Sequence, residues 1–384
     1  MNPRVRASLF YFFYFAAGGA LIPFLNLYYQ EVGMSTRQIG VLAALPTIAV
    51  LAAGPFWGVV ADGLHLHKRL LPLLTFGVML PVAGLMWAQG FAMLAVLVLL
   101  YAGLNASIIP LADNAVLSML GDDRADYGRL RLWGAVGFGA SAFGAGLLAE
   151  RTGLRAIILV YVVMMGLAAL TATRLPAPPV VPRGLLGRNF RGLVADSRWL
   201  AFMSAMFLAG VCFSVLNNYF SIYLKSIGAG EALIGLGVAV AGVSELPIFW
   251  LSPMMLRRWG PRPLVLAAFA MFAVRGWAYS LIHNPIWSVP AQLLHGPTFS
   301  LMWLSSVVYA SSAAPIGLGA SAQAALGAMF MGLGAGAGAL LGAWLYSSVG
   351  PEATFRATSF VALAGLVVFG LSAGRVRRTA FAES

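Results

Sequence analysis

Long apolar stretches separated by short polar breaks run along this chain from one end to the other. They fall near residues 5–30, 38–62, 68–88, 91–119, 128–150, 154–175, 198–225, 231–256, 262–281, 285–313, 317–347 and 352–374. Each is about as long as the roughly 20 residues that a helix needs to cross some 30 Å of hydrocarbon. The stretches lack the apolar–polar alternation of barrel strands, and many exceed the ~10 residues that such a strand spans. Where no water reaches the backbone, a segment must satisfy its own N–H and C=O groups, so the pattern predicts an all-α membrane protein with twelve transmembrane helices. The most polar break, from Arg174 to Arg198, holds Pro176, Pro178, Pro179 and Pro182 and reads as a cytoplasmic linker. The expected organisation is therefore a six-helix bundle over 1–175, a linker over 176–197 and a second six-helix bundle over 198–384. The two halves also echo each other at one constant offset: Tyr28, Gly33, Ile39 and Gly40 recur as Tyr223, Gly228, Ile234 and Gly235. Two bundles from one duplicated plan, with a solute site between them, is an arrangement that secondary transporters use.

Composition agrees with the pattern. The 384 residues are 60% hydrophobic and have a mean hydropathy of +0.87, which is more apolar surface than a soluble core of this length hides. The net charge of +12 would suit nucleic acid if the cations formed one patch, but they are scattered over short loops. With the N-terminus inside, Arg4, Arg6, Lys68, Arg69, Arg124, Arg129, Arg183, Arg257, Arg258 and Arg375 fall on the inner side, and few cations, such as Arg37, Arg151 and Lys225, fall outside. That bias places both termini in the cytoplasm of a bacterial-type inner membrane. Cys212 is the sole cysteine, which excludes an internal disulfide and a cysteine metal cage. The basic N-terminal start leads into a helix too long for a signal-peptide core, so it reads as a retained span.

Against this background, Glu245, Arg275 and His295 stand out, each near the middle of a different apolar segment in a chain that is only 9% charged. A charge at bilayer depth is costly and usually lines a path for a solute or proton. Opposite charges at one depth lower that cost, so the expectation is that Glu245 and Arg275 neutralise one another. Glu245 is the candidate proton carrier, with His295 as a neutral hydrogen-bonding group or a protonated anion holder. A static polar lock between helices is the plainer alternative. Asp113 on helix four and Arg131 on helix five share a depth and form a second expected pair, acting as a substrate anchor, a latch or a fixed bridge. Arg131 offers the two parallel N–H groups that grip a carboxylate. Gln292 lies three residues before His295, which places both on one helical face.

Other polar positions say less. Asn26, Asn105, Asn217, Asn218 and Gln323 suit helix-to-helix hydrogen bonds as well as ligand contact, and Tyr14, Tyr219, Trp133 and Trp303 are candidates for stacking on a ring. Gly327, Gly332, Gly334, Gly336, Gly338 and Gly342 predict tight packing of helix eleven, with a sliding hinge as the alternative. His65 and His67 alternate on a short loop without further ligands, so no metal site is expected.

Two motifs carry a family resemblance. Gly58 to Asp62 followed by Lys68 and Arg69 resembles the inner-loop signature of the major facilitator superfamily, with about two extra residues before the basic pair. The run from Asp126 through Tyr127, Gly128, Arg129, Leu130, Arg131, Leu132 and Trp133 to Gly134, together with Pro110 to Asp113, resembles the phenylpropionate permease group, related to the oligosaccharide:proton symporters that include lactose permease. The resemblance implies the major facilitator fold, two six-helix bundles related by pseudo-twofold symmetry. It also implies that Glu245, Arg275 and His295 match the family's carboxylate, arginine and histidine on helices eight, nine and ten, and that Asp113 and Arg131 match its pair on helices four and five. Asp62, Lys68 and Arg69 become gating residues, since a carboxylate near a helix end can bridge to a neighbour in one state and release it in the other. One departure bears on coupling: the turn after His295 reads Gly296, Pro297 and Thr298, where lactose permease has a second carboxylate.

The expected function is secondary active transport, symport of protons with a small organic solute such as an aromatic acid. An uncoupled facilitator, or an exporter of a sugar, nucleoside or drug, are the alternatives, and a membrane sensor belongs to a different class. An enzyme is not expected: there is no Gly-x-x-x-x-Gly-Lys nucleotide loop and no catalytic cluster at metal spacing. No cofactor is expected beyond the coupling proton. The expected partners are the solute and the lipid bilayer, not nucleic acid, and the chain is expected to act as a monomer.

Overall fold

The computed structural model describes residues 2–63, 69–120, 127–175, 196–313 and 319–371. Among them there are helices and no strand. In chain order the rods are α1 (Pro3–Glu31), α2 (Thr36–Gly63), α3 (Leu70–Trp87), α4 (Phe91–Asn105 and Ile108–Leu120), α5 (Tyr127–Thr152), α6 (Arg155–Ala172), α7 (Ser197–Asn218 and Phe220–Ser226) and α8 (Glu231–Trp259). They continue with α9 (Pro261–Ser280), a segmented α10 from Pro285–Trp287 to Leu301–Ala313, α11 (Gly319–Gly327, Ala328–Gly334 and Ala335–Val349) and α12 (Pro351–Leu371). The twelve apolar stretches thus map one to one onto twelve rods, and ten of these are long and apolar enough to cross a membrane as continuous helices. Contacts divide the chain into two compact units, Met1–Pro182 with Ser221–Ala239, and Arg183–Phe220 with Val240–Ser384. Most of the expected linker, residues 176–195, lies outside the described residues.

Local chemistry sets the ends of the rods. Asn2 and Asp196 cap α1 and α7 by accepting the N–H groups of Arg4 and Arg198 at 3.0 and 2.8 Å, which satisfies donors that a first turn otherwise leaves open. The repeat seen in the sequence is a repeat of stop signals. Gly33 and Gly228 adopt φ of 88° and 91°, a conformation open to glycine at little cost. Behind them Met34 N–H donates to the Tyr29 carbonyl and Ala229 N–H to that of Leu224, both at 2.9 Å, closing α1 and α7 in the same way.

Within each unit, bare backbone lets rods approach closely. On α5 a Cβ at Gly137 would overlap the Phe12 carbonyl of α1, and one at Gly19 of α1 would overlap that of Phe138. In the other unit Gly210 of α7 lies against the Phe330 carbonyl of α11, and Gly334 and Gly338 of α11 lie against the Phe207 and Val211 carbonyls. Gly327 meets no neighbour within 4 Å. Lipid tails are as apolar as the helices, so such small-residue contacts carry much of helix association in place of a hydrophobic drive.

Helix α10 is the irregular rod. Pro290 and Pro297 each remove a backbone donor, and the chain passes through a 3₁₀ turn at Gln292–Leu294 and a π turn at Gly296–Ser300. A second π turn, Ala328–Gly334, interrupts α11. Such wide turns often mark functional positions. The packing yields a direct test. Gly137→Ala should lower the unfolding temperature and the yield of folded protein, because overpacking costs about 1–3 kcal/mol. Gly144→Ala, a site with nothing within 4 Å, should leave both unchanged, and equal behaviour of the two variants in a thermal-shift assay would refute the close crossing.

Candidate functional site

The three mid-helix ionisable groups all lie in the second unit, and a backbone crossing brings two of them together. Where α8 meets α10, Gly296 N–H donates to Ser244 Oγ at 2.9 Å, while that hydroxyl donates to the Ala241 carbonyl at 2.6 Å. A Cβ at Gly296 would overlap the Ser244 carbonyl oxygen. Glu245 and His295 are the chain neighbours of these two residues, so the crossing sets them side by side. His295 Nε2 lies 3.1 Å from Glu245 Oε1, with the side chains 12% and 23% exposed. The other ring nitrogen, Nδ1, is buried and has no hydrogen-bond partner among the described residues. The His295 ring is 5.6 Å from that of Phe299, one turn on, which in turn lies 4.9 Å from Phe213 of α7.

Arg275 has a different environment. It is 1% exposed, and all its bonds go to neutral oxygens. Its Nε donates to Tyr279 Oη at 2.8 Å, one terminal nitrogen to Thr298 Oγ1 at 3.2 Å and the other to Gln292 Oε1 at 3.2 Å. Tyr279 Oη in turn donates to Gln292 Oε1 at 2.8 Å, and Thr298 Oγ1 donates to the His295 carbonyl at 2.8 Å. The Tyr279 ring is held by stacking on Phe220, 3.9 Å between centroids at 16°. Removing a cation from water costs several kcal/mol, and each hydrogen bond to a charged group returns about 1.5–3 kcal/mol. Three such bonds are therefore of the right size to hold the guanidinium without a carboxylate.

This corrects the expectation that Glu245 and Arg275 neutralise one another. Among the described residues no ion pair joins them, because His295 takes the carboxylate and the 3₁₀ and π turns of α10 deliver Gln292 and Thr298 to the arginine. Gln292 and His295, expected on one face, divide between the two partners. Tyr279, Thr298 and Ser244 were not singled out in the sequence. Tyr279 follows Arg275 by four residues on one helix, which is the signal that could have found it.

The first unit holds the second constellation. Asp113 accepts a 2.7 Å bond from Tyr11 Oη, and the Arg131 guanidinium lies 4.2 Å from the Phe15 ring centroid and 5.3 Å from that of Tyr11. The expected Asp113–Arg131 ion pair is not formed: Tyr11 satisfies the acid, and the cation rests on aromatic faces. Tyr14 Oη donates to Asn105 Oδ1 at 2.9 Å.

The weaker candidates separate by their bonds. Asn217 is exposed and donates to its own helix at the Phe213 carbonyl, 2.7 Å, and Asn218 donates to Ser214 Oγ at 2.9 Å. Gln323 ties α11 to α10 through the Val307 carbonyl and Ser311 Oγ, both at 2.8 Å. Tyr219 is fully buried and bonded to the Ala339 carbonyl, so it packs α7 on α11 and offers no free ring. Trp303 lies 5.8 Å from Phe330, Trp133 is exposed, and Asn26 and Cys212 are buried. Of the gating residues, Arg69 is exposed beside the start of α3; Lys68 and the Asp62 side chain lie outside the described residues, as do His65 and His67.

Among the described residues, twelve helical rods, ten of them long and apolar enough to cross a membrane, together with the likenesses that follow, make this a polytopic membrane transporter of the major facilitator fold. The chain belongs to the MFS_1 like family, which it matches over residues 5–357. It is 32% identical to the maltose permease of Geobacillus stearothermophilus over 96% of this chain and 94% of the permease. It is also 27% identical to the "Probable 3-phenylpropionic acid transporter" of Escherichia coli (strain K12), over 79% of this chain and 80% of that protein. Among solved structures, the nucleoside transporter NupG superposes with a TM-score of 0.84 at 16% identity, covering 97% of this chain and 99% of that one.

The neutral cage is open to test. Tyr279→Phe should leave Arg275 Nε without an acceptor and lower stability by about 1.5–3 kcal/mol, seen as a lower unfolding temperature in detergent. An unchanged transition would show that the guanidinium does not depend on the hydroxyl.

Proposed function

We propose that this protein is a proton-coupled symporter that carries a small polar organic solute, in the first instance an aromatic acid, into the cell by alternating access. In this reading it sits in a cytoplasmic membrane with both termini inside and works as a monomer, with no cofactor beyond the proton. The observation that carries the proposal is the Glu245–His295 pair, part-exposed and set apart from a guanidinium that is already satisfied. With His295 Nε2–H given to Glu245, the buried Nδ1 gains a partner only when the site opens to a water or a solute hydroxyl, and a proton arriving there needs the same new partner. Solute occupancy and protonation of the pair are thereby linked, which is the requirement for symport. The carboxylate absent after His295 is not needed in this scheme, because Thr298 serves Arg275 and the exchangeable proton belongs to the pair.

Arg131 supports an acid as solute. It is part-exposed and has no carboxylate partner among the described residues, and Tyr11 and Phe15 offer ring faces beside it. A hydroxylated sugar is the second reading, favoured by the maltose permease likeness and by the hydrogen-bonding groups of Glu245 and His295.

Uptake of 3-phenylpropionate and of maltose into proteoliposomes under an imposed pH gradient separates these readings. A gradient of one pH unit stores about 1.4 kcal/mol per proton, roughly a tenfold concentration ratio. Wild-type protein should approach that ratio for its solute after subtraction of protein-free vesicles, and Glu245→Gln should only equilibrate it. Arg131→Gln should abolish uptake of the acid if the acid is the solute. Accumulation by Glu245→Gln equal to wild type would remove the pair from coupling.

A further inference from the structure

The last turns of α8 carry a shallow, open groove along one face of that helix, formed by Trp250, Pro253, Met254, Arg257 and Arg258, none of which belongs to the candidate site. Its floor is apolar and open: Trp250 is 83% exposed and Met254 57%. Its rim is cationic. Arg257 curls back so that Nε reaches the Pro253 carbonyl at 3.4 Å, and the Arg258 guanidinium lies 5.7 Å from the Trp259 ring. Among the described residues neither arginine forms an ion pair, and the chain has no acidic residue at all between Glu245 and Glu352. Both guanidinium groups lie exposed in the last turn of the helix and are open to an anion.

We infer that this groove binds an anionic phospholipid, with Arg257 and Arg258 on the headgroup phosphate and Trp250 and Met254 against the glycerol and the first acyl carbons. Guanidinium groups match phosphate oxygens with paired N–H bonds. Tryptophan at a helix end prefers the headgroup level, where one face is apolar and the other wet. A soluble anion would meet the arginines but leave the Trp250–Met254 floor in water, whereas a lipid supplies phosphate and hydrocarbon together, and basic pockets at membrane depth are known to select acidic headgroups.

The test uses the full chain in bilayers of phosphatidylcholine and reads tryptophan fluorescence. Brominated phosphatidylglycerol should quench more strongly than brominated phosphatidylcholine at the same mole fraction, and the excess should fall about fivefold for each arginine removed. It should vanish in Arg257→Gln with Arg258→Gln, survive in large part in Arg257→Lys with Arg258→Lys, and shrink in Trp250→Phe, which keeps both cations. Quenching by brominated phosphatidylcholine reports that each variant is folded and inserted; should the glutamine variant fail that control, Trp250→Phe alone decides. Equal quenching by the two lipids, an excess that persists without the arginines or is unchanged in Trp250→Phe, or an excess displaced by millimolar inorganic phosphate, which would make the occupant a soluble anion, would each overturn the inference.

Discussion

A charged side chain inside an apolar helix persists only if something nearby replaces the water it has lost, and this requirement organises the second unit. Glu245 and His295 answer it for one another across the α8–α10 crossing. Arg275 is answered by three neutral oxygens. The crossing itself depends on the absence of a side chain at Gly296 and on one hydroxyl at Ser244, so the position of the most polar groups rests on two of the smallest residues.

The irregularity of α10 belongs to the same solution. A straight α-helix would place residues three and four apart on one face, and Gln292, His295 and Thr298 would compete for one neighbour. The 3₁₀ turn followed by a π turn changes the angular spacing, so that Gln292 and Thr298 reach α9 while His295 reaches α8. Pro290 and Pro297 make such a change inexpensive, because the regular ladder has already lost their donors.

The rods were legible in the sequence because a membrane imposes one length and one composition on every span. All twelve stretches correspond to helices, and the polar anomalies Glu245, Arg275 and His295 lie on three consecutive helices of one unit, with Glu245 and His295 in contact. What the sequence did not reveal was who pairs with whom. Charge complementarity favoured Glu245 with Arg275 and Asp113 with Arg131, but side-chain direction is decided by helix rotation and by local departures from 3.6 residues per turn, and neither is written in residue type. Tyrosines were undervalued for the same reason. Tyr11 and Tyr279 were not singled out in spans rich in aromatics, yet each hydroxyl meets a charged group.

The division of labour between the pair and the caged arginine is the central claim, and a double-mutant cycle on thermal stability tests it most directly. Glu245→Gln and His295→Gln, singly and together, should show a coupling of about 0.5–3 kcal/mol, as residues in contact do. Glu245→Gln combined with Arg275→Lys should be additive within about 0.5 kcal/mol. Strong coupling of Glu245 to Arg275, with none to His295, would contradict the account.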